Sequence, residues 1–296
     1  MLVAGQEVSL VALLALGVVV GFVAGLFGVG GGFILTPLLS VVLGVPLPIA
    51  IGSGLCQMVG TATVAFLKHQ KLGQGEPRFD WLMLAGSLLG VSAGARTVAY
   101  LEAQGSVVLG GARLPLASVV LYASYLVFLL ASAASLLGRP RGTVETLAYV
   151  RRGPIARIAL PPLVDFPRLP LSRVSAPLVA YLGLGLGFIS GLLGVGGGIA
   201  LMPILLYGFG FPIKQAAGTG ILVLFFTAVS GTLIHAALGH VHLPLALTLL
   251  AGSSVSAQLG ALATHRLPPR ALRRGLAALI LFTALAVLWA LFQRVV

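Results

Sequence analysis

Charged residues are scarce in this sequence. Only 8 % of its 296 residues are charged, and just six are Asp or Glu. Soluble globular domains carry about 25 % charged residues, so the composition excludes an ordinary water-soluble domain. Cysteine is scarcer still, because Cys56 stands alone. A single thiol excludes an intramolecular disulfide framework and a thiolate metal cluster.

Apolar sequence is what the chain has in abundance: 58 % of its residues are hydrophobic, and the mean hydropathy is +1.10. Continuous apolar runs of about 20 residues recur from end to end, which indicates a helical protein that crosses a membrane several times. The first run, up to Phe27, lacks a basic start and is expected to be a retained helix rather than a cleaved signal peptide. The net charge is +12, and the Lys and Arg residues behind it are expected in loops, where they orient a membrane protein. A lipid bilayer is therefore expected as a partner, and nucleic acid is not.

The apolar segments form two sets of five. They cover about residues 8–27, 33–45, 48–67, 80–101 and 115–137, named A to E, and 174–193, 199–211, 215–237, 243–264 and 271–293, named A′ to E′. The stretch between the sets is rich in arginine and proline, and it is expected to be a polar linker with room for one short surface helix. The predicted organisation is a membrane repeat at 1–137, a linker at 138–173 and a second membrane repeat at 174–296.

The two halves are copies of each other. Without a gap, residues 21–95 align with 187–261 at an offset of 166, and 29 of these 75 positions are identical. Self-similarity of this extent indicates an internal duplication. The linker and the loop 265–274 are basic and are expected on the cytoplasmic side.

The basic residues also predict opposite orientations for the two repeats. The loop after C carries Lys and Arg, whereas its counterpart after C′ carries neither, so corresponding loops face opposite sides. We therefore predict an all-α polytopic membrane protein with two inverted repeats of about five hydrophobic segments each. Segments B and B′ are too short to span a bilayer comfortably, so the A–B hairpins are expected to be broken or re-entrant.

A duplicated glycine run between A and B supplies the first candidate site. Glycine costs about 1 kcal/mol in a helix interior, so four glycines in five residues predict a bend. A helix that begins there exposes free N–H groups and partial positive charge, which favour an anion. The alternative is a tight turn between packed helices with no ligand. The substrate-binding candidates in the two turns are Gly28, Gly30, Gly31, Gly32, Gly194, Gly196, Gly197 and Gly198.

Neutral polar side chains supply the second set of candidates. They recur on one face of C and the corresponding face of C′, with one amide in D′, and could line a pathway or bond back to their own helices. They are Ser53, Gln57, Thr61, Thr219, Thr227 and Gln258. None of the six acids is expected inside an apolar segment, which argues against an antiporter built on intramembrane carboxylates. Neutral donors favour a small anion as the substrate.

Three further residues are candidates for guiding a proton or an anion. His69 and His235 hold matched positions at the ends of C and C′, where they could carry protons or be ordinary interfacial residues. Lys214 begins C′ as an anion guide or as a snorkelling anchor. The spacing of His235, His240 and His242 is weak support for a metal site, so no metal and no cofactor are expected.

The motifs in combination resemble the TauE/SafE family, the sulfite exporter and sulfonate permease group. The resemblance rests on Gly-x-Gly-Gly-Gly followed by Pro, Ala-x-Gly-Thr-Gly at 216–220, Ser-Gly-x-x-x-His at 230–235 and the glycine-rich D′. It covers nearly all of 10–137 and 174–293. The resemblance implies a multi-pass transporter of the bacterial inner membrane for sulfite or organosulfur anions.

The expected function is therefore secondary transport of a small sulfur-containing anion, sulfite or an organosulfonate, by alternating access, with export as the expected direction. A passive anion channel and an uptake permease are the alternatives. An intramembrane lipid-phosphate hydrolase would need acidic and basic groups within the membrane, and acids are not expected in the apolar segments. No enzymatic activity is expected, and a homo-oligomer is left open.

Overall fold

The computed structural model describes residues 2–3, 6–27, 30–71, 75–109, 112–137, 153–166, 171–211, 213–264 and 267–295. The first repeat contains helices α1 (Leu10–Phe27), α2 (Gly32–Val41), α3 (Leu47–Lys71), α4 (Pro77–Ala103) and α5 (Leu116–Leu137). The second contains α6 (Ala176–Leu193), α7 (Gly198–Pro203), α8 (Ile213–Gly218), α9 (Ile221–Ala237), α10 (Leu243–Thr264) and α11 (Pro269–Val295). Strands occur only as small antiparallel hairpins in these residues: β1 (Leu2–Val3) with β2 (Gln6–Glu7), β3 (Ser106–Leu109) with β4 (Ala112–Pro115), and β5 (Leu163–Phe166) with β6 (Leu171–Ser175).

Six helices of the described residues are long and apolar enough to cross a membrane. Their outward faces carry large apolar side chains, such as Val127 on α5, Val255 on α10 and Phe292 on α11, which are exposed in the isolated chain. An apolar exterior is stable only when lipid covers it. The protein is thus an all-α polytopic membrane protein.

Segments B and B′ form short helices. The helix α2 has 10 residues, and α7 continues as a π-helix over Ile204–Phe209, so both are shorter than the roughly 20 residues that span a bilayer. Each follows a glycine turn that folds back over the preceding helix. A side chain added at Gly31 would contact Val20 of α1, and one added at Gly197 would contact the equivalent Leu186 of α6.

The two repeats pack on each other reciprocally. The first helix of each repeat runs beside the helix of segment D or D′ in the other repeat, so that α1 pairs with α10 and α6 pairs with α4. The equivalent helices α3 and α9 run antiparallel, with Gly52 against His235 and Leu55 against Gly231. An antiparallel course of equivalent helices is the arrangement that inverted repeats require.

Small residues hold the paired helices together. Along α4 and α6, a side chain added at Gly86, Gly90 or Gly187 would meet the backbone of the facing helix within 3 Å. Along α1 and α10 the same is true of Gly17 and Gly252. Small residues at such spacing let two backbones approach closely, which is how helices associate in lipid.

The interrepeat segment is more than a polar linker. Its described part contains a short 3-10 helix at Ile155–Arg157 and the β5–β6 hairpin. Phe166 of β5 is buried and packs edge-on against Phe79 at the start of α4, which also contacts Phe209 and Phe211. The linker is thereby fastened to α4 and to the end of the π-helix. Residues 138–152 and 167–170 lie outside the described part of the chain.

Segment C′ is divided, whereas segment C is continuous. The helix α3 runs unbroken through Gly52 and Gly54. At the equivalent place in the second repeat the chain leaves the helix at Thr219 and Gly220, where Gly220 has a φ of 90°. This region of φ favours glycine, and the break separates α8 from α9.

Candidate functional site

The two glycine turns have nearly the same backbone conformation. Gly30 and Gly31 have φ values of 81° and 71°, and the equivalent Gly196 and Gly197 have 72° and 73°. L-residues with side chains rarely adopt this region, so the glycines are a conformational requirement. Gly31 and Gly197 stand at the starts of α2 and α7, where the first N–H groups have no partner within the helix.

The turns meet in the interior of the protein. A side chain added at Gly32 would lie 2.6 Å from the carbonyl oxygen of Gly194, so the first turn touches the second. Both turns also contact the same two side chains: Met58 of α3 and Leu224 of α9 lie against Gly30 and against Gly196. Met58 and Leu224 are equivalent positions at the offset of 166. Equivalent residues of the two repeats therefore come together at this contact.

A small cavity adjoins the second turn. It lies between α4, α6, the turn and α9, and its lining consists of glycines, apolar side chains and three hydroxyls. The lining residues are Met83, Ser87, Leu186, Ser190, Gly196, Gly197, Leu201, Gly220, Val223, Leu224 and Thr227. None of them carries a charge.

The hydroxyls in this cavity differ in how they are bonded. Ser87 and Thr227 hydrogen-bond each other at 2.6 Å between their oxygens, joining α4 to α9. The Ser190 hydroxyl is buried, with 1 % of the residue exposed, and it has no hydrogen-bond partner among the described residues. A buried hydroxyl without a partner costs about 1–3 kcal/mol, so Ser190 is a donor to which a bound molecule would offer an acceptor.

Thr227 is the one polar candidate from the sequence that lines this cavity. Ser53 instead accepts a hydrogen bond from the N–H of His242 at 2.9 Å, and Gln57 donates to Ser253 at 2.7 Å. Thr61 donates to the carbonyl of Met58 in its own helix at 3.2 Å. These three side chains are engaged in holding α3 to the second repeat or to itself.

Other candidates lie elsewhere or outside the described residues. Thr219 accepts a hydrogen bond from the N–H of Glu76 at the C′ break, and Gln258 lies on the exposed face of α10. Gly198 begins α7 beside Gly197. Gly28 is outside the described residues, as are the side chains of His69 and Lys214.

Two acids are buried near the C′ break, which the sequence did not lead us to expect. Asp80 lies inside α4, only 4 % of it is exposed, and its Oδ1 accepts the N–H of Gly220 at 2.6 Å. Glu76, just before the helix, is 2 % exposed. The expectation that no acid lies within an apolar segment is therefore wrong for Asp80. The physical reason is that α4 begins at Pro77 and the carboxylate is stabilised by a backbone donor from the other repeat.

The opposite end of the bundle holds the candidate His235. It is fully buried, and its ring contacts both the carbonyl of Gly191 at 2.9 Å and the ring of His240 at 3.1 Å. His240 in turn pairs with Glu102 at 2.8 Å. The spacing His235-x₄-His240 was visible in the sequence, but the contribution of Glu102 comes from packing across the two repeats.

Comparison with known proteins agrees with this architecture. The family model for the sulfite exporter TauE/SafE matches residues 13–287. The chain is 27 % identical to the probable membrane transporter protein YunE of Bacillus subtilis, over 86 % of this chain and 88 % of the relative. It is 26 % identical to a probable membrane transporter protein of Haemophilus influenzae, over 92 % of this chain and 95 % of the relative.

A relative from Methanocaldococcus jannaschii, the probable membrane transporter protein MJ0441, is 23 % identical over 93 % of this chain and 95 % of its own length. No solved structure matches the chain. The family assignment, which covers nearly the whole chain, and the transporter relatives identify a transporter rather than an enzyme. The chain belongs to the sulfite exporter TauE/SafE family of membrane transporters.

Proposed function

We propose that the protein is a secondary transporter for a small sulfur-containing anion, sulfite or an organosulfonate, and that the anion binds beside the meeting point of the two glycine turns. The observation that carries the proposal is the juxtaposition of two glycine turns with a cavity that holds the buried, unpartnered hydroxyl of Ser190. The description of the matching family as a sulfite exporter supports the sulfur oxyanion.

The chemistry of the cavity suits an anion better than a cation. Its lining offers hydroxyl donors from Ser87, Ser190 and Thr227, and glycines that allow a ligand to approach the backbone. Helix starts at the turns add partial positive charge. A cation would require carboxylates or several carbonyls as ligands, whereas the carboxylate of Asp80 is bonded to Gly220.

The packing of the repeats supports alternating access. Turns from both repeats meet at one place, and the equivalent helices α3 and α9 run antiparallel across it. A rocking motion of one repeat against the other would expose this place to each side in turn. The arginine-rich linker and the loop 265–274 place the cytoplasm on their side in our proposal, the membrane is the bacterial inner membrane, and transport proceeds outward.

Ligand binding tests the location of the site. We expect sulfite, sulfate, thiosulfate, taurine or sulfoacetate to raise the unfolding temperature of the purified protein, because a ligand of the native state stabilises it. Ser190→Ala should weaken the binding of the active anion by roughly 10- to 100-fold, the effect of removing a hydrogen bond to a charged group. Ser254→Ala is the matched control, because Ser254 is exposed on α10 and bonds its own helix.

Equal weakening in both serine variants, or none in Ser190→Ala, would contradict this position of the site.

Transport itself is measured in sealed vesicles. Saturation and counterflow of labelled anion are expected for a carrier. Flux that does not saturate would instead indicate a passive channel.

A further inference from the structure

Three titratable side chains form a hydrogen-bonded chain that runs inward from the end of α4. Glu102 Oε2 lies 2.8 Å from His240 Nε2, and His240 Nδ1 lies 3.1 Å from His235 Nδ1. The other ring nitrogen of His235 lies 2.9 Å from the carbonyl oxygen of Gly191. Gly191 belongs to the last turn of α6, three residues before the glycine turn begins at Gly194.

Burial increases along this chain from surface to core. The side chain of Glu102 is 39 % exposed and that of His240 is 9 % exposed, while His235 is fully buried. The Glu102 end of this hydrogen-bonded trio therefore contacts water, and the His235 end lies beside the glycine turn that lines the cavity. Solvent access at one end only is what a route for protons into a protein interior needs.

The hydrogen-bond geometry determines how many protons Glu102, His240 and His235 bind together. A carbonyl oxygen only accepts, so His235 Nε2 carries a proton toward Gly191. One more proton must lie between the two Nδ1 atoms, and another between His240 Nε2 and Glu102, if both contacts are hydrogen bonds. Two neutral imidazoles and a carboxylate supply one proton too few. The observed geometry is satisfied when the trio binds one extra proton.

That extra proton can move without breaking the chain. When Glu102 is protonated, its O–H donates to His240 Nε2 and the Nδ1–H of His240 donates to His235. Transfer of the first proton to His240 Nε2, with transfer of the Nδ1 proton to His235 Nδ1, leaves a carboxylate at Glu102 and an imidazolium at His235. One positive charge has then moved inward, and every proton is accounted for.

We propose that Glu102, His240 and His235 are a proton-binding relay that couples proton movement to anion transport. The inference rests on the proposed transport function. Protons enter at Glu102, and protonation of His235 changes the hydrogen bond to Gly191 and so biases the adjoining turn. A histidine is suited to this task because its two ring nitrogens allow it to accept a proton on one side and donate one on the other.

The surroundings of the relay contain few other charges. From α3 the facing groups are Gly52 and Ser53, and from α6 the carbonyl of Gly191. The loop before α10 adds His242, whose Nδ1 accepts the N–H of Leu245. Glu102 has no other ion pair among the described residues.

The relay belongs to one repeat only. At the offset of 166, the first repeat has Gln74 where the second has His240, and the position that corresponds to Glu102 is Pro268. Only His235 has a titratable equivalent, His69. The duplication thus supplies one relay per molecule, reached from one face of the membrane.

Proton movement in vesicles tests the proposal. The purified full chain is reconstituted with a pH-sensitive dye inside, a gradient of sulfite or thiosulfate is imposed, and protons and anions are counted together. Glu102→Gln keeps the shape of the side chain but cannot take up a proton. We expect it to slow the proton flux that accompanies the anion by roughly 10²-fold, the rate contribution of a positioned acid–base group, so that protons per anion fall while equal-pH exchange of labelled anion continues. Glu7→Gln, which removes an exposed carboxylate of β2, should match the parent protein.

An NMR titration of ¹⁵N-histidine provides a readout that does not depend on transport. We expect the histidine signals to change together with the carboxyl signal of ¹³C-labelled Glu102, as one proton shared by the trio, and this coupling to be lost in both Glu102→Gln and His240→Gln. Unchanged proton-to-anion ratios in these variants, or two neutral imidazoles beside an ionised Glu102 in parent protein that also carries ¹³C-labelled glutamate, would overturn the relay. If the parent protein moves no tested anion, the proposed function fails while the titration still decides whether the proton site exists.

Discussion

At the scale of single residues, the two glycine turns are alike in conformation but not in the space around them. A side chain added at Gly30 would lie 3.3 Å from Met58, whereas one added at Gly196 would collide with both Met58 and Leu224. Gly30→Ala is therefore expected to cost about 1–2 kcal/mol for the left-handed backbone alone. Gly196→Ala should cost a further 1–3 kcal/mol or so for overpacking.

Thermal unfolding of the two purified variants checks this order. Because the positions are equivalent, each serves as the control for the other. We also expect Gly196→Val to abolish transport while some folded protein remains. Identical unfolding temperatures for the two alanine variants would show that the second turn is not the tighter one.

The glycines of the turns could be predicted because a repeated run of glycines has few structural uses. The role of each hydroxyl could not be predicted in the same way. Thr61 and Thr227 are equivalent at the offset of 166, yet Thr61 bonds a carbonyl of its own helix and Thr227 lines the cavity. Which partner a hydroxyl finds depends on the facing helix, and a single sequence does not specify that helix.

At the scale of helices, the break in C′ depends on a carboxylate from the other repeat. Asp80 accepts the N–H of Gly220, and both are buried. Asp80→Ala would leave that N–H without a partner, which we expect to cost about 1–3 kcal/mol of the free energy of unfolding. The measurement is thermal unfolding of the purified protein.

A matched control exists on the surface. Asp165 also accepts a backbone N–H, that of Arg173, at the same 2.6 Å, but the bond is exposed. Asp165→Ala should therefore change the stability by less than about 0.5 kcal/mol. Equal losses in the two alanine variants would contradict a special role for Asp80 at the break.

The helix bounds followed closely from hydropathy, because lipid requires long apolar runs. The break did not, since Gly52-Ser53-Gly54 and Gly218-Thr219-Gly220 look alike in the sequence. The difference arises from the α3–α4 loop, where Gly75 donates to Gln215 and Glu76 donates to Thr219. Such contacts join residues about 140 positions apart, and local patterns do not reveal them.

At the scale of the whole molecule, the fold depends on two close helix contacts lined by small residues, one between α4 and α6 and one between α1 and α10; we call these contacts seams. Gly187 of α6 faces the backbone of Ser87 on α4, while Gly185 has nothing within 4 Å. Gly187→Leu should force the helices apart and lose most of the folded protein. Gly185→Leu, two residues away, should fold normally. Yield and monodispersity in detergent check both variants, and equal behaviour would contradict the close seam.

The duplication predicted that the halves would be related, but not how they would join. The alignment at an offset of 166 relates α1 to α6 and α4 to α10. That α1 rests on α10, and α6 on α4, emerges only from the structure. The glycines at these seams were visible in the sequence, and their partners were not.

This exchange of first helices has a consequence for synthesis of the chain. During translation, α1 emerges long before its partner α10, which is completed only near residue 264. Until then the small-residue face of α1 has no matching surface, and lipid or the insertion machinery must shield it. We infer that the two repeats complete their folding together, because α1 can pack in its final position only after α10 has been synthesised.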